Sequence, residues 1–149
     1  MKGVPTNHTD TNTHDAASIL LVNPEGMLIL QKRDDKPGIR SPNKVTAWGG
    51  ACEGSESPLH AAVREIREET NLRPNESDLE FFGVYPRDYK IGGKQVVNYA
   101  FVIHDVDERA LEVYEGQGYV LADPQSETTD PLYTKLVREM IADYNSRAV

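Results

Sequence analysis

The stretch from Gly49 to Leu72, GGACEGSESPLHAAVREIREETNL, constrains the chain more than any other. Between Pro58 and Thr70 the apolar residues Leu59, Ala62, Val63 and Ile66 recur at three- and four-residue spacing, which predicts an amphipathic helix with its stripe on a core. Glu65, Glu68 and Glu69 stand on another side of that helix. Residues three and four apart are neighbours on a helix surface, so Glu65 lies beside both other carboxylates and all three repel. A helix stabilised by its own side chains would avoid this. Hard divalent cations such as Mg²⁺ take oxygen ligands, keep several waters and are shared between carboxylates and substrate phosphates, a need that three clustered Glu meet.

The ends of the helix are also written locally. Ser57 suits the N-cap, Pro58 the first helical position, and Asn71 a left-handed cap at the other end. Ahead of the helix, Gly49-Gly50 and Glu53-Gly54-Ser55-Glu56 read as a tight polar loop whose glycines let backbone approach a ligand closely. Helix and loop together predict a cradle for metal and diphosphate.

These residues resemble the Nudix box, Gly-x5-Glu-x7-Arg-Glu-U-x-Glu-Glu-x-Gly-U, where U is a bulky aliphatic residue. Gly50 starts the match, Glu56 follows, then Arg64-Glu65, Ile66, Glu68-Glu69 and Leu72; Asn71 stands where the family usually has Gly. A pattern this long is specific where a short one is not. The resemblance implies an α/β/α sandwich around a mixed β-sheet over residues 15–149; residues 1–14, polar and without periodic pattern, are expected as a flexible tail ahead of it. It implies a pyrophosphohydrolase that uses Mg²⁺, with Mn²⁺ as an alternative, to cleave a nucleoside diphosphate linked to another group. Glu65, Glu68 and Glu69 would hold the metal, with Glu56 assisting through water and the Gly49 carbonyl as a further ligand. Arg64 would orient the carboxylates. The general base is sought first at Glu65, then Glu69, then Glu115. Two other readings stand beside this one: a non-catalytic module that binds a nucleotide to regulate a partner, and an isopentenyl-diphosphate isomerase-like enzyme. The latter would need a catalytic Cys in an upstream loop and His ligands. Cys52 lies inside the box, where a packing role is expected.

The rest of the chain is compatible. A length of 149 residues suits one domain, and a single Cys rules out an internal disulfide. No signal-peptide pattern or long apolar run is present, so a cytoplasmic protein without membrane contact is expected. The net charge of −8 argues against a nucleic-acid polymer as partner and requires local cations wherever a polyphosphate binds. Such cations occur between Lys32 and Lys44, where Lys32, Arg33, Lys36, Arg40 and Lys44 face only Asp34 and Asp35; Arg33, Lys36 and Arg40 are the candidate phosphate contacts.

Around this site the pattern predicts a hairpin, Ala16–Val22 with Met27–Gln31, and a second, Leu79–Tyr89 with Gln95–His104, across Gly92-Gly93. The run ending at His104 is apolar on both faces and reads as a central strand. Trp48, Tyr99 and Phe101 are expected in the core. A short strand at Tyr119–Leu121 and a closing helix from Asp130 to Asn145 complete the reading, with the second helix covering the sheet face opposite the first. Ahead of that strand, after Asp105, lies an acidic turn; the resemblance implies a further metal-binding or water-activating carboxylate from it, for which Glu115, with Glu112 as alternate, is the candidate. A homodimer is a further expectation, because many similar proteins form one.

Overall fold

The computed structural model describes residues 12–126 and 129–147. In chain order the strands are β1 (Thr13–Val22), β2 (Leu28–Lys32), β3 (Val45–Thr46), β4 (Trp48–Ala51), β5 (Glu80–Ile91), β6 (Lys94–Ile103) and β7 (Gly118–Ala122), with helices α1 (Pro58–Glu69) and α2 (Lys135–Arg147). Among the described residues the strands form one mixed sheet in the order β3-β2-β1-β6-β5, with β4 also on β1 and β7 also on β2. The pairing of β1 with β6 is parallel, from Thr13 with Gln95 to Leu21 with Ile103. Along the other edge of β1 the partner changes: Ala16 to Ile19 pair with β4, Leu21 and Val22 with β2.

Alternation along the strands makes two cores. Ile19, Leu21, Ile29, Trp48, Phe101 and Ile103 face α1 and meet Ala61, Ala62 and Ile66. Leu20, Val22, Leu28, Leu30, Ala100 and Val102 face the other way and meet Val137, Met140 and Ile141 of α2. The two helices therefore cover opposite faces, and the α/β fold is the one expected. β6 is buried on both sides, as its apolar pattern implies. Trp48 is fully buried and donates its ring N–H to the Ile29 carbonyl at 2.8 Å. The β5–β6 hairpin turns at Gly92 and Gly93, both with positive φ, in keeping with the glycine pair. No helix among the described residues is long and apolar enough to cross a membrane.

Three local expectations are corrected. β1 starts at Thr13, so Thr13 and His14 belong to the sheet instead of a tail; residues 1–11, with His8, lie outside the described residues. The second helix starts at Lys135, because the residues before it are drawn onto β3: Val45 N–H donates to the Leu132 carbonyl and Thr134 N–H to the Val45 carbonyl. Thr134 Oγ1 then accepts from Val137 N–H at the first turn.

The third correction concerns the end of α1. Ser57 caps its start as expected, accepting from His60 N–H. At the other end Asn71 is not left-handed. Thr70 leaves the helix extended, with φ −142°, and forms an antiparallel bridge with Val113. Asn71 continues this pairing: its N–H donates to the Glu112 carbonyl, its Nδ2 donates to the Ala110 carbonyl and its Oδ1 accepts from Glu112 N–H. The last carbonyls of the helix are capped by Arg73 instead, whose guanidinium donates to the carbonyls of Arg67 and Thr70. Docking of the 110–114 segment on the helix end brings the following turn, with Glu115, toward the acidic face.

Candidate active site

Gly49 and Gly50 lie in β4, not in a loop, and packing explains the glycines. A Cβ on Gly49, where φ is +137°, would overlap the Ala17 carbonyl oxygen of the neighbouring strand. A Cβ on Gly50 would stand 2.5 Å from Glu65 Oε1. The sheet can therefore approach α1 closely enough for its backbone to touch the helix carboxylates: Gly49 N–H donates to Glu69 Oε1 at 2.8 Å.

Arg64 organises the outer side of this contact. It grips Glu56 with two donors, Nε to Oε2 at 2.8 Å and Nη2 to Oε1 at 2.9 Å. Its Nη1 reaches Glu65 Oε1 at 2.9 Å and Glu68 at 3.3 Å, while Nη2 also donates to the Ala51 carbonyl. A guanidinium offers five donors in a rigid fork, and this one uses them to tie the loop before the helix to the helix itself. The bond from Arg64 holds the Glu56 carboxyl below the usual carboxylate range. Arg64 thus has its donors committed to protein oxygens.

On the inner side, Glu65, Glu69 and Glu115 line one cavity of about 380 Å³, together with Gln31, Arg33, Asp34, Lys36, Ile39, Gly49, Gly50 and Gly116. Glu69 is only 3% exposed. Burial, reinforced by the charges of Glu65 and Glu115, pushes its carboxyl up to about 8, against the opposing bonds from Gly49 N–H and Gln31. Glu65 is raised as well, chiefly by burial, with Arg64 opposing and Glu68 and Glu115 adding. A buried and a half-buried carboxylate that resist ionisation side by side are a site short of positive charge.

The donor set is all oxygen and fits a hard divalent cation in kind. As the side chains stand, no three His, Cys, Asp or Glu among the described residues converge closely enough to hold a metal ion. Arg64 takes the bonds of Glu56, Glu65 and Glu68 on the outer side. Of the expected ligands, Glu65, Glu69 and Gly49 line the cavity, whereas Glu56 and Glu68 do not; Glu68 points outward, its side chain 55% exposed. Glu115 is brought to the cavity and Glu112 is not.

The basic segment divides. Arg33 and Lys36 line the carboxylate cavity; Arg40 does not, and stacks on the Tyr89 ring at 4.6 Å. Arg40 and Tyr89 line a second cavity of about 280 Å³, together with Trp48, Ile91, Val96, Leu136, Ser18 and Asn98. Arg33, Gly49 and Gly50 belong to both cavities, so the two adjoin across the edge of β4. A larger cavity of about 760 Å³, between residues 71–80 and 103–110, is lined by Asn71 and Leu72 but by none of the box carboxylates.

Gln31 was not singled out in the sequence, yet its buried amide contacts both Glu69 and the Glu115 turn. A polar side chain at the end of the apolar run Leu28-Ile29-Leu30 is the signal that could have marked it. Cys52 packs against the α1 core, and burial, with Asp15 and Glu56 nearby, pushes its thiol up to about 12. A thiol raised in this way is a poor nucleophile at neutral pH.

A family model described as the NUDIX domain matches residues 12–125. Among solved structures, a MutT protein from Methanosarcina mazei Go1 is similar at 17% identity and TM-score 0.73, over 93% of this chain and 97% of that one. The E. coli dihydroneopterin triphosphate pyrophosphohydrolase is similar at 17% identity and TM-score 0.68, over 87% and 93%. A Nudix hydrolase from M. smegmatis, RenU, gives 21% identity and TM-score 0.65, over 89% and 84%. At these identities the structural likenesses establish the fold.

Proposed function

The chain belongs to the NUDIX domain family of hydrolases acting on phosphorus anhydrides, and from that premise we propose that it is a Mg²⁺-dependent pyrophosphohydrolase of a nucleoside diphosphate linked to another moiety. The observation that carries this reading is the cavity in which Glu65, Glu69 and Glu115 meet, with Arg33 and Lys36 on its wall. Carboxylates and cations facing one another across a cavity suit a metal-bound diphosphate better than either an anion or a cation alone.

In this reading Glu65 and Glu69 hold the cation, with Glu115 and the Gly49 backbone as further oxygen donors. Bound there, Mg²⁺ would offset charge on the phosphoryl oxygens and favour ionisation of water. Arg33 and Lys36 bind the non-bridging oxygens. Glu65 Oε1 is held by Arg64, which leaves Oε2 as the oxygen that meets the cation or, with Glu65 as the first candidate base, takes the proton from the attacking water while Glu69 and Glu115 hold the cation. Glu69, fixed by Gly49 N–H and Gln31, keeps the cradle in place. The remainder of the substrate extends past Gly49 and Gly50 into the second cavity, where Tyr89 and Arg40 offer a flat surface and Asn98 a hydrogen-bonding side chain.

The test is phosphate or monophosphate release from a panel of nucleoside triphosphates, oxidised nucleotides, nucleotide sugars and dinucleoside polyphosphates, with Mg²⁺, with Mn²⁺ and with chelator. Turnover that needs the metal and falls by about 100-fold or more in Glu65→Gln or Glu69→Gln is expected. Turnover that survives chelation, or either substitution within a few-fold, would remove the mechanism. Tight binding of a panel member without hydrolysis would favour a regulatory module.

A further inference from the structure

Gln31 lies at the end of β2, paired with Thr46 on one side and Tyr119 on the other, and is 3% exposed. A buried primary amide is costly unless its donors are satisfied. Here Nε2 donates to Glu69 Oε2 and to the Glu115 carbonyl, each at 3.1 Å, so both of its N–H bonds are used. Those partners also determine how the amide points. Turned over, it would set its oxygen against a carboxylate oxygen and a carbonyl oxygen at once.

The turn it holds has been shaped to lie on it. Gly116, with φ +96°, has no room for a Cβ, which would come within 2.6 Å of the Lys32 carbonyl and 3.4 Å of Gln31 Cγ. Tyr114 N–H donates to the Glu69 carbonyl on one side of the turn and Gln117 N–H to the Lys32 carbonyl on the other. Backbone therefore brings the turn near Glu69. Among these contacts, the amide of Gln31 touches the Glu69 carboxylate as well as the turn. The Gln117 side chain faces the other way, donating to the Arg33 carbonyl and to Asn43 Oδ1 at the ends of the basic loop.

We propose that Gln31 is a positioning residue that ties the Glu69 carboxylate to the Glu115 turn and so sets the separation of the carboxylates that receive the cation. The proposal rests on the metal-site reading above. Glu69 and Glu115 repel each other, and a rigid strand supplies a neutral double donor between them. A carboxylate in that position would add to the repulsion. An apolar side chain would leave Glu69 and the turn held by separate elements, free to drift apart.

The test compares Gln31→Met, Gln31→Asn, Gln117→Ala and Glu69→Gln with the parent. Mn²⁺ affinity is read by electron paramagnetic resonance without substrate, thermal stability with chelator, and kcat and KM on a substrate the parent hydrolyses. Gln31→Met keeps the length and loses both donors; Mn²⁺ affinity should fall by about 10- to 100-fold and kcat with it, while KM stays within about three-fold. Gln31→Asn keeps the amide but is too short to span both partners, and should show the same loss if the Met variant does not fold. Gln117→Ala loosens the same turn without touching Glu69, and Mn²⁺ affinity should hold within about two-fold; a loss equal to that of the Gln31 variants would make the effect general loosening and overturn the proposal. Mn²⁺ affinity and kcat within about two-fold of the parent in the Gln31 variants, beside a large loss in Glu69→Gln, would overturn it too. If Glu69→Gln itself binds Mn²⁺ normally, the metal site is elsewhere and both readings fall.

Discussion

Replacing Glu69 by Gln should shift the stability of the metal-free protein in the variant's favour by an amount that grows with pH. In the folded chain this carboxyl is pushed up to about 8 from an ordinary 4.5, first by burial and then by Glu65 and Glu115. A raised carboxyl favours folding while protonated: its contribution is complete below pH 4.5 and is lost as the pH rises through 8. With one pKa unit worth about 1.4 kcal/mol, the loss is about 1 kcal/mol by pH 5, about 3 by pH 7 and close to 5 above pH 9. Glutamine cannot ionise. It offers one acceptor where Gly49 N–H and Gln31 Nε2 now find two, a mismatch of about 1–2 kcal/mol that does not depend on pH. The readout is therefore the slope. Urea unfolding in chelator at pH 5, 6, 7 and 8 should show the variant gaining about 2–3 kcal/mol on the parent between pH 5 and 7, a midpoint shift of about 1 M. Added Mg²⁺ should restore the parent and not the variant, since a ligand of the folded state alone stabilises it by mass action. A difference constant within about 0.5 kcal/mol across this range would refute the account of a charge-starved cavity.

Two further perturbations separate packing from chemistry. Gly49→Ala forces a Cβ into the Ala17 carbonyl at positive φ and should cost about 3 kcal/mol or more, whereas Gly50→Ala displaces the Glu65 side chain and should cost about 1 kcal/mol while lowering turnover about 100-fold; thermal melts and kcat on the pair check the contrast. Asn71→Gly restores the residue usual in the family box, yet it removes the side-chain bonds to Ala110 and Glu112 and should destabilise by about 1–2 kcal/mol in chemical unfolding. A neutral or stabilising result would mean that the turn is left-handed after all.

Much of this architecture could be read from local pattern, because a helix stripe, a Ser cap and a Gly-Gly turn carry their causes within a few residues. The apolar stripe of α1, its start at Ser57 and the central position of β6 follow in this way. What escaped was set by residues far away in the chain. Gly49 and Gly50 read as loop because glycine is a poor strand former; their place in β4 depends on the backbone of Ala17 and the side chain of Glu65. Asn71 read as a left-handed cap because the competing partner, the 110–112 segment, is remote in sequence. The site shows the same division. The box supplies Glu65 and Glu69 by spacing alone, but Gln31 acquires its role only when β2 lies beside the Glu115 turn. Arg40 has the same charge as Arg33 and Lys36, and only the fold of the loop sends it to Tyr89.

The parallel pairing of β1 with β6, which joins residues 13–21 to 95–103, has a kinetic consequence. Contacts this distant must wait for most of the chain to be in place, whereas α1 and β4 are near neighbours in sequence and can meet early. Glu69 can thus be folded into its helix while still hydrated. Suppose that its crowding by Gln31 and the Glu115 turn comes with closure of the sheet, after the barrier. The repulsion stored at the site would then leave the rate of folding unchanged and appear in the rate of escape: the gain from Glu69→Gln should lie in slower unfolding, with refolding scarcely altered. A cavity assembled last is one whose electrostatic strain does not hinder the route to it.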